Sequence, residues 1–374
     1  MVNKVLLYYH NNQKTNAMRT NRQSFLDFTG QTIFIGIDAH YKNWAVTLQS
    51  EEFELKTYSQ PAITDVLFNY LQTNYPGAKY KAVYEAGFCG FSIQRALTLK
   101  GIECDVIHPA DVPTSDKEKR QKTDKIDSRK LARMCKNNDM KGIYIPSIEQ
   151  QEERNLLRAR QKIVRDQTRV KNRIKSYLRF QGVELEGFEG RHWTKKYLEL
   201  LRKTSFSTTA GTFAFKAYLD ELDYLQQQAS KLDEQIKLLS QSDRYKVNFS
   251  LLTSVPSLGL ISAMTFLTEI GDINRFSRFD DLCSFIGLIP NCYSSGEVEK
   301  VGHITRRGNQ HLKMILIECA WVAIRKDPAL LQCYKELLPR MNGNKAIIRV
   351  ARRLLRRIQH VLINKELYQK GYKE

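Results

Sequence analysis

Hydrophobic positions along the chain first recur every second residue and later at helical spacing. From Thr32 to Asp38 the sequence reads TIFIGID, followed by NWAVTLQ at 43–49 and FELKTYS at 53–59. All three runs are rich in β-branched and aromatic residues, which predicts three strands joined by short turns. Ile63, Val66, Leu67, Tyr70 and Leu71 then fall at helical spacing between Pro61 and Asn74. The turn-like Pro76-Gly77 precedes the strand-like YKAVYEA, and a helix near 90–100 leads into ECDVIHP at 103–109. The order β-β-β-α-β-α-β predicts an α/β domain in which a hairpin-joined meander feeds parallel strands.

Beyond Pro109 the pattern turns polar and basic, becoming helical from about Asp124. Over 148–181, Leu156, Ile163, Val170, Ile174 and Leu178 recur near three-and-a-half spacing among many arginines, and a second such stretch runs from about 213 to 240. These predict an antiparallel helical pair or coiled coil with a basic solvated face on the first helix. The Gly-, Glu- and Ser/Thr-rich residues 182–212 read as its tip, and a third segment runs from near Phe249 to a helix over Ile347–Asn364. Within it, VPSLG at 255–259 suggests the turn of a helical hairpin, and GLIPNCYSSGEVEKVGHITRRGN suggests a loop between helices. The expected layout is a polar extension at 1–30, an α/β domain at 31–147, a helical pair at 148–245 and a mostly helical domain at 246–374.

Composition adds a partner to this outline. The 374 residues are 42% hydrophobic, enough for two or three domains with real cores, and carry a net charge of +19. Residues 117–179 hold 20 basic against 8 acidic side chains, and residues 300–374 hold 17 against 5. Clustering of this kind attracts polyanions, because each cation that neutralises a phosphate releases condensed counterion. Nucleic acid is the leading partner, ahead of a merely solubilising surface or an anionic membrane. Seven scattered cysteines without a CxxC spacing predict a reducing, cytosolic setting without structural zinc. No apolar run approaches the roughly 20 residues that span a bilayer, so no membrane partner is expected.

Four acids carry the candidate chemistry. Asp38 and Glu85 each close an apolar strand, and ligands of α/β sheets gather at such carboxyl edges. Asp124 and Asp127 stand three apart at a helix start, within about 6 Å on one side. Clustered acids repel unless a hard cation compensates them, and oxygen donors at this density suit Mg2+, with Mn2+ possible. Taken singly, an Asp at a strand end is more often a cap or turn residue, and Asp124 has the alternative of capping its helix. Lys122, Lys125, Arg129 and Lys130 around the helical pair would hold neighbouring phosphates, or form a solvated face.

The set GIDAH at 36–40, YEAGFCG at 84–90 and KTDKIDSRKLA at 122–132 resembles the amino-terminal domain of bacterial insertion-sequence transposases of the DEDD type. That family has a Holliday-junction-resolvase-like domain and is described as bridge-RNA-guided recombinases. VPSLG, GLIPNCYSSG and VGHITRRGNQHL look like its second domain, so the resemblance covers most of residues 31–360. It implies an RNase H/RuvC-like fold followed by a coiled-coil insertion or linker and a helical serine-bearing domain. It also implies that Asp38, Glu85, Asp124 and Asp127 bind Mg2+ and promote strand cleavage. Ser295 becomes the expected nucleophile, with Ser294 the register alternative. Further implied are donor and target DNA, a structured guide RNA pairing with both, a dimer or tetramer in which one subunit's resolvase-like domain works beside another's serine domain, and a bacterial cytoplasm.

Read alone, the serine segment is compatible with that role. A serine hydroxyl needs a base to take its proton and positive groups to hold the phosphate oxygens. His303, Arg306, Arg307, Asn309 and Lys313 lie within one short span, and the two arginines suit phosphate by their planar fork. From Lys345 to His360, Arg349, Arg352, Arg353, Arg356 and Arg357 interleave with Ile348, Val350, Leu354, Leu355 and Ile358, predicting an amphipathic helix whose arginine face follows a nucleic-acid backbone. The rival readings are a metal-dependent junction nuclease that uses water and a non-catalytic nucleic-acid-binding protein.

Overall fold

The computed structural model describes residues 27–113, 123–184, 193–295, 298–305 and 307–371, with backbone alone at 291–295, 298–301 and 303. The chain divides into two compact units, one ending at Ile145 and one beginning at Pro146.

In the first unit, β1 (Thr32–Ala39), β2 (Asn43–Gln49), β3 (Glu54–Pro61), β4 (Lys79–Glu85) and β5 (Glu103–Ile107) form one sheet in the order β3-β2-β1-β4-β5. The meander β1-β2-β3 is antiparallel, whereas β4 and β5 run parallel to β1. Strand alternation sorts the side chains. Ile33, Ile35 and Ile37 of β1 join Trp44, Val46 and Leu48 of β2 in a core with Leu67 and Leu71 of α1 (Thr64–Asn74) and Ile93 and Leu97 of α2 (Ser92–Leu99). Each such aliphatic side chain contributes about 1.5–3 kcal/mol by leaving water. On the other face, Phe34, Val83 and Ile107 pack against Leu131, Met134 and Cys135 of α3 (Asp124–Asn137). The strands and helices read from the sequence are all present here, in a mixed α/β sheet.

The second unit opens with α4 (Ile148–Phe180), begun by Ser147, whose side chain accepts from the Gln150 N–H. It lies antiparallel to α6 (Thr209–Ser240): Arg160 pairs with Asp233, Gln167 donates to the Leu225 carbonyl, and Arg173 pairs with Glu221. The segment read as the tip holds a helix, α5 (Lys195–Lys203), capped by Thr194. Its inward Tyr197 and Leu201, four apart, join Val170, Ile174, Leu178, Phe215 and Leu219 in a local core, and that burial outweighs the polar composition around it.

The remaining elements are α7 (Lys246–Thr253), α8 (Leu260–Ile270), α9 (Phe279–Ile286), β6 (Pro290–Ser295), β7 (Val298–Ile304), α10 (Gln310–Lys326), α11 (Pro328–Leu337) and α12 (Gly343–Asn364). Their core includes Phe266, Leu282, Leu316 and Leu354, with Leu157 and Ile236 from the long helices and Tyr245 from just before α7. The segment read as a loop between helices is corrected: β6 and β7 pair antiparallel, and the β-branched Val298, Val301 and Ile304 favour that extended arm. No helix among the described residues is long and apolar enough to cross a membrane.

Candidate functional site

Asp38 and Glu85 share both an edge and a face of the sheet. The last registered pair of the parallel strands is Ile37 with Tyr84, so the residues that follow, Asp38 and Glu85, lie abreast at the carboxyl edge. Counting by twos from Phe34 and Val83, both of which pack against α3, turns each acid toward that helix. Gly36 lets the helix approach: a Cβ there would stand 2.1 Å from the Ser128 carbonyl oxygen and 2.3 Å from the Ala132 nitrogen. A hydroxyl chain fixes the same crossing, with Thr47 Oγ1 2.9 Å from both Thr57 Oγ1 and Ser128 Oγ.

Thr123 begins α3 by accepting from the Ile126 N–H, which leaves Asp124 and Asp127 in the first turn, where the helix dipole favours negative charge. The structure brings Asp124 to Asp38 and adds a residue that the sequence reading passed over, His40. One oxygen of Asp38, one of Asp124 and a ring nitrogen of His40 all lie within 4.8 Å of one another. His40 Nε2 is 3.4 Å from both Asp38 Oδ2 and Asp124 Oδ1. Its position two residues after Asp38, just past the strand end, was a legible signal, because alternate residues share a face. Glu85 and Asp127 are half-buried and stand outside that trio. The donor set fits a divalent cation: two carboxylate oxygens suit Mg2+ or Mn2+, and the imidazole moves the set toward transition-metal ions.

The basic residues around α3 differ in their engagement. Lys125 is exposed, Lys130 is half-buried, and Lys122 lies outside the described residues. Arg129 reaches across to β3, donating to Glu54 Oε1 at 2.8 Å and Thr57 Oγ1 at 3.2 Å.

In the second unit, Ser294 and Ser295 end β6, paired with Glu299 and Val298 of β7. His303 belongs to β7, Arg307 follows it and is exposed, and Arg306 lies outside the described residues. Lys313 sits elsewhere than a phosphate contact requires: it is buried on α10 and its Nζ donates to the Thr305 carbonyl at 2.8 Å. Burial pushes its ammonium pKa down. Arg357 likewise faces inward from α12. It donates to buried Asp327 at 3.0 Å and to the Tyr368 hydroxyl, while another oxygen of Asp327 caps α11. Arg349, Arg353 and Arg356 do lie exposed along α12, Arg356 over the Phe279 ring, and half-buried Arg352 pairs with Asp280.

Two sequence models of known families match this chain. Residues 35–181 match a model described as "Transposase" of the DEDD, IS110 type, and residues 249–335 match "Transposase IS116/IS110/IS902 family". Among individual relatives, y4qE of Sinorhizobium fredii, a transposase by name, is 29% identical over 247 residues, which are 65% of this chain and 59% of the relative. The transposase for insertion sequence element IS1111A of Coxiella burnetii is 26% identical over 275 residues, 72% of this chain and 74% of its own. The alignment thus spans less than two thirds of the first relative's length and about three quarters of the second's. With one family model over the acid-bearing sheet and the other over the helices that flank the serine hairpin, the chain is similar in two separate segments to transposases of the IS116/IS110/IS902 family.

Proposed function

We propose that this protein moves DNA by cutting and rejoining strands through a covalent bond to Ser295, with a divalent metal centre at Asp38, His40 and Asp124 and with a structured RNA choosing the sites. The observation that carries the reading is the convergence of Asp38 and Asp124 at the carboxyl edge of the sheet. Glu85, at the same sheet edge, and Asp127, in the same helical turn, would complete the acid set. When bound there, Mg2+ or Mn2+ supplies positive charge to the phosphate oxygens.

The protein's own groups account for the rest. The Ser295 hydroxyl attacks the scissile phosphorus, its proton passes to a base, the phosphodiester bond to the departing strand breaks, and a phosphoserine ester forms. The departing oxygen leaves as a hydroxyl. Attack by the hydroxyl of another strand reverses these bond changes and releases the serine, so bond energy is conserved without ATP. Arg307 and the exposed arginines of α12 are suited to backbone phosphates, which position a duplex without reading its sequence. Delegating sequence choice to a base-paired guide supplies what these cations lack.

The test is capture of a denaturation-resistant protein–DNA adduct with Mg2+. Wild-type protein and Ser294→Ala should form it, Ser295→Ala should not, and Asp38→Ala should reduce it by at least about a hundredfold, the scale of losing a charge-stabilising group. Cleavage by Ser295→Ala at the wild-type rate would replace the serine route with water attack. RNA that co-purifies should be one structured species, and a random mixture would remove the guide from the proposal.

A further inference from the structure

The second unit holds a buried acid with no part in the chemistry above. Glu269 stands at the last turn of α8 and is 1% exposed. A carboxylate at a helix carboxyl end faces the unfavourable pole of the dipole, and burial removes its hydration. Its surroundings compensate. Arg158 of α4 donates from Nε to Oε1 at 2.7 Å and from Nη2 to Oε2 at 2.9 Å, and Arg154 approaches Oε2 at 3.4 Å. The third partner is Asn309, whose Nδ2 donates to Oε2 at 2.7 Å.

Asn309 ties this network to the base of the serine hairpin. Its Oδ1 accepts from the Leu312 N–H and so caps α10, and its own N–H donates to the Phe285 carbonyl at 2.7 Å. Just before it, Gly308 packs against Gly287: a Cβ on Gly308 would stand 2.6 Å from the Gly287 nitrogen, and one on Gly287 would stand 2.3 Å from the Arg307 carbonyl oxygen. Both glycines have positive φ, so the two chains that enter and leave the hairpin touch backbone to backbone. Thr305 donates to the Ile289 carbonyl at 2.9 Å, and Lys313 holds the Thr305 carbonyl from below. The neck of the hairpin is thus closed by contacts that meet at Asn309.

A buried ion network is a weak source of stability, since apolar packing of similar volume does as well, whereas it fixes geometry closely. We infer that Glu269 is a positioning residue: oriented by Arg158, it holds Asn309 and thereby sets the neck of the hairpin that carries Ser295. The inference rests on the reading of Ser295 as the nucleophile for its consequence in catalysis, but its structural part can be measured alone.

The test uses full-length protein, hydrogen–deuterium exchange and the DNA adduct assay. Asn309→Ser keeps a helix-capping oxygen but is too short to reach Glu269. It should speed amide exchange across residues 289–305 by about tenfold, the scale of one hydrogen bond to a charged group, and leave residues 343–364 unchanged. Adduct formation at saturating DNA should fall by a similar factor with DNA affinity unaltered. Glu269→Gln combined with Asn309→Asp reverses donor and acceptor and should recover much of both losses relative to either single change. Unchanged exchange at 289–305 in Asn309→Ser, or an equal rise at 343–364, would overturn the inference. If the hairpin responds while wild-type protein forms no serine adduct, the positioning stands and the serine chemistry falls.

Discussion

Single residues decide whether the acids meet. Gly36 is the point where α3 touches β1, and the atoms that an added methyl would strike belong to backbone, which cannot swing aside. Gly36→Ala should therefore lift α3, separate Asp124 from Asp38, and destabilise the protein by roughly 1–3 kcal/mol. Urea unfolding gives the stability change, and Mn2+ binding followed by electron paramagnetic resonance should show weakened affinity. Wild-type affinity in that variant would mean that the crossing does not place the metal ligands. The sequence displayed Gly36 only as an interruption of apolar alternation. That α3 fills the gap is a tertiary fact, because the helix is recruited from about ninety residues further along the chain.

At the scale of elements, the arginines of α12 separate into two kinds. Val350, Leu354, Arg357 and Val361 are spaced by four, three and four, so Arg357 lies on the buried stripe, whereas Arg349, Arg353 and Arg356 face solvent. Lys313 occupies the corresponding stripe of α10 with Leu316, Ala320 and Ala323. Both were read as phosphate contacts because density of charge was weighed above helical phase, and the phase was legible. Replacing Arg349, Arg353 and Arg356 together by Gln should weaken nucleic-acid binding and lower the slope of log affinity against log salt by about 2–3, with little change in melting temperature. Arg357→Gln should do the reverse, destabilising the fold by about 3 kcal/mol through the buried Asp327 it leaves behind. Binding titrations over a salt series beside thermal melts distinguish the two; equal effects on both readouts would refute the division.

Across the molecule, two buried carboxylates link folding to pH. Burial alone would raise the Glu269 pKa, but the Arg158 hydrogen bonds and charge, then Asn309 and Arg154, outweigh it and hold the group below its ordinary value. Asp327 is also lowered: burial opposes, while the Tyr368 hydroxyl, the Leu330 and Ala329 N–H groups and Arg357 prevail. A folded pKa below the unfolded one means that the unfolded chain binds the proton first. The stability these groups lend is therefore complete above about pH 5 and is lost as pH falls through about 4 toward the folded values. Urea midpoints should drop steeply between pH 5 and 3, and less steeply once Glu269→Gln and Asp327→Asn remove both titrations. A drop of the same steepness in that double variant would assign the acid sensitivity elsewhere.

The sequence by itself determined the strands and long helices, since period-two and helical spacing record which side of each element leaves water. It also determined where the charge gathers and which acids stand at strand and helix ends. The tertiary structure decided what local pattern does not encode. It showed which acids come within reach of one another, that His40 joins them, and that α5 and the serine hairpin are ordered elements. It also turned Lys313 and Arg357 inward. Each of those outcomes depends on partners distant in sequence, and the energy of a buried charge or a backbone contact is set by the neighbours that folding supplies.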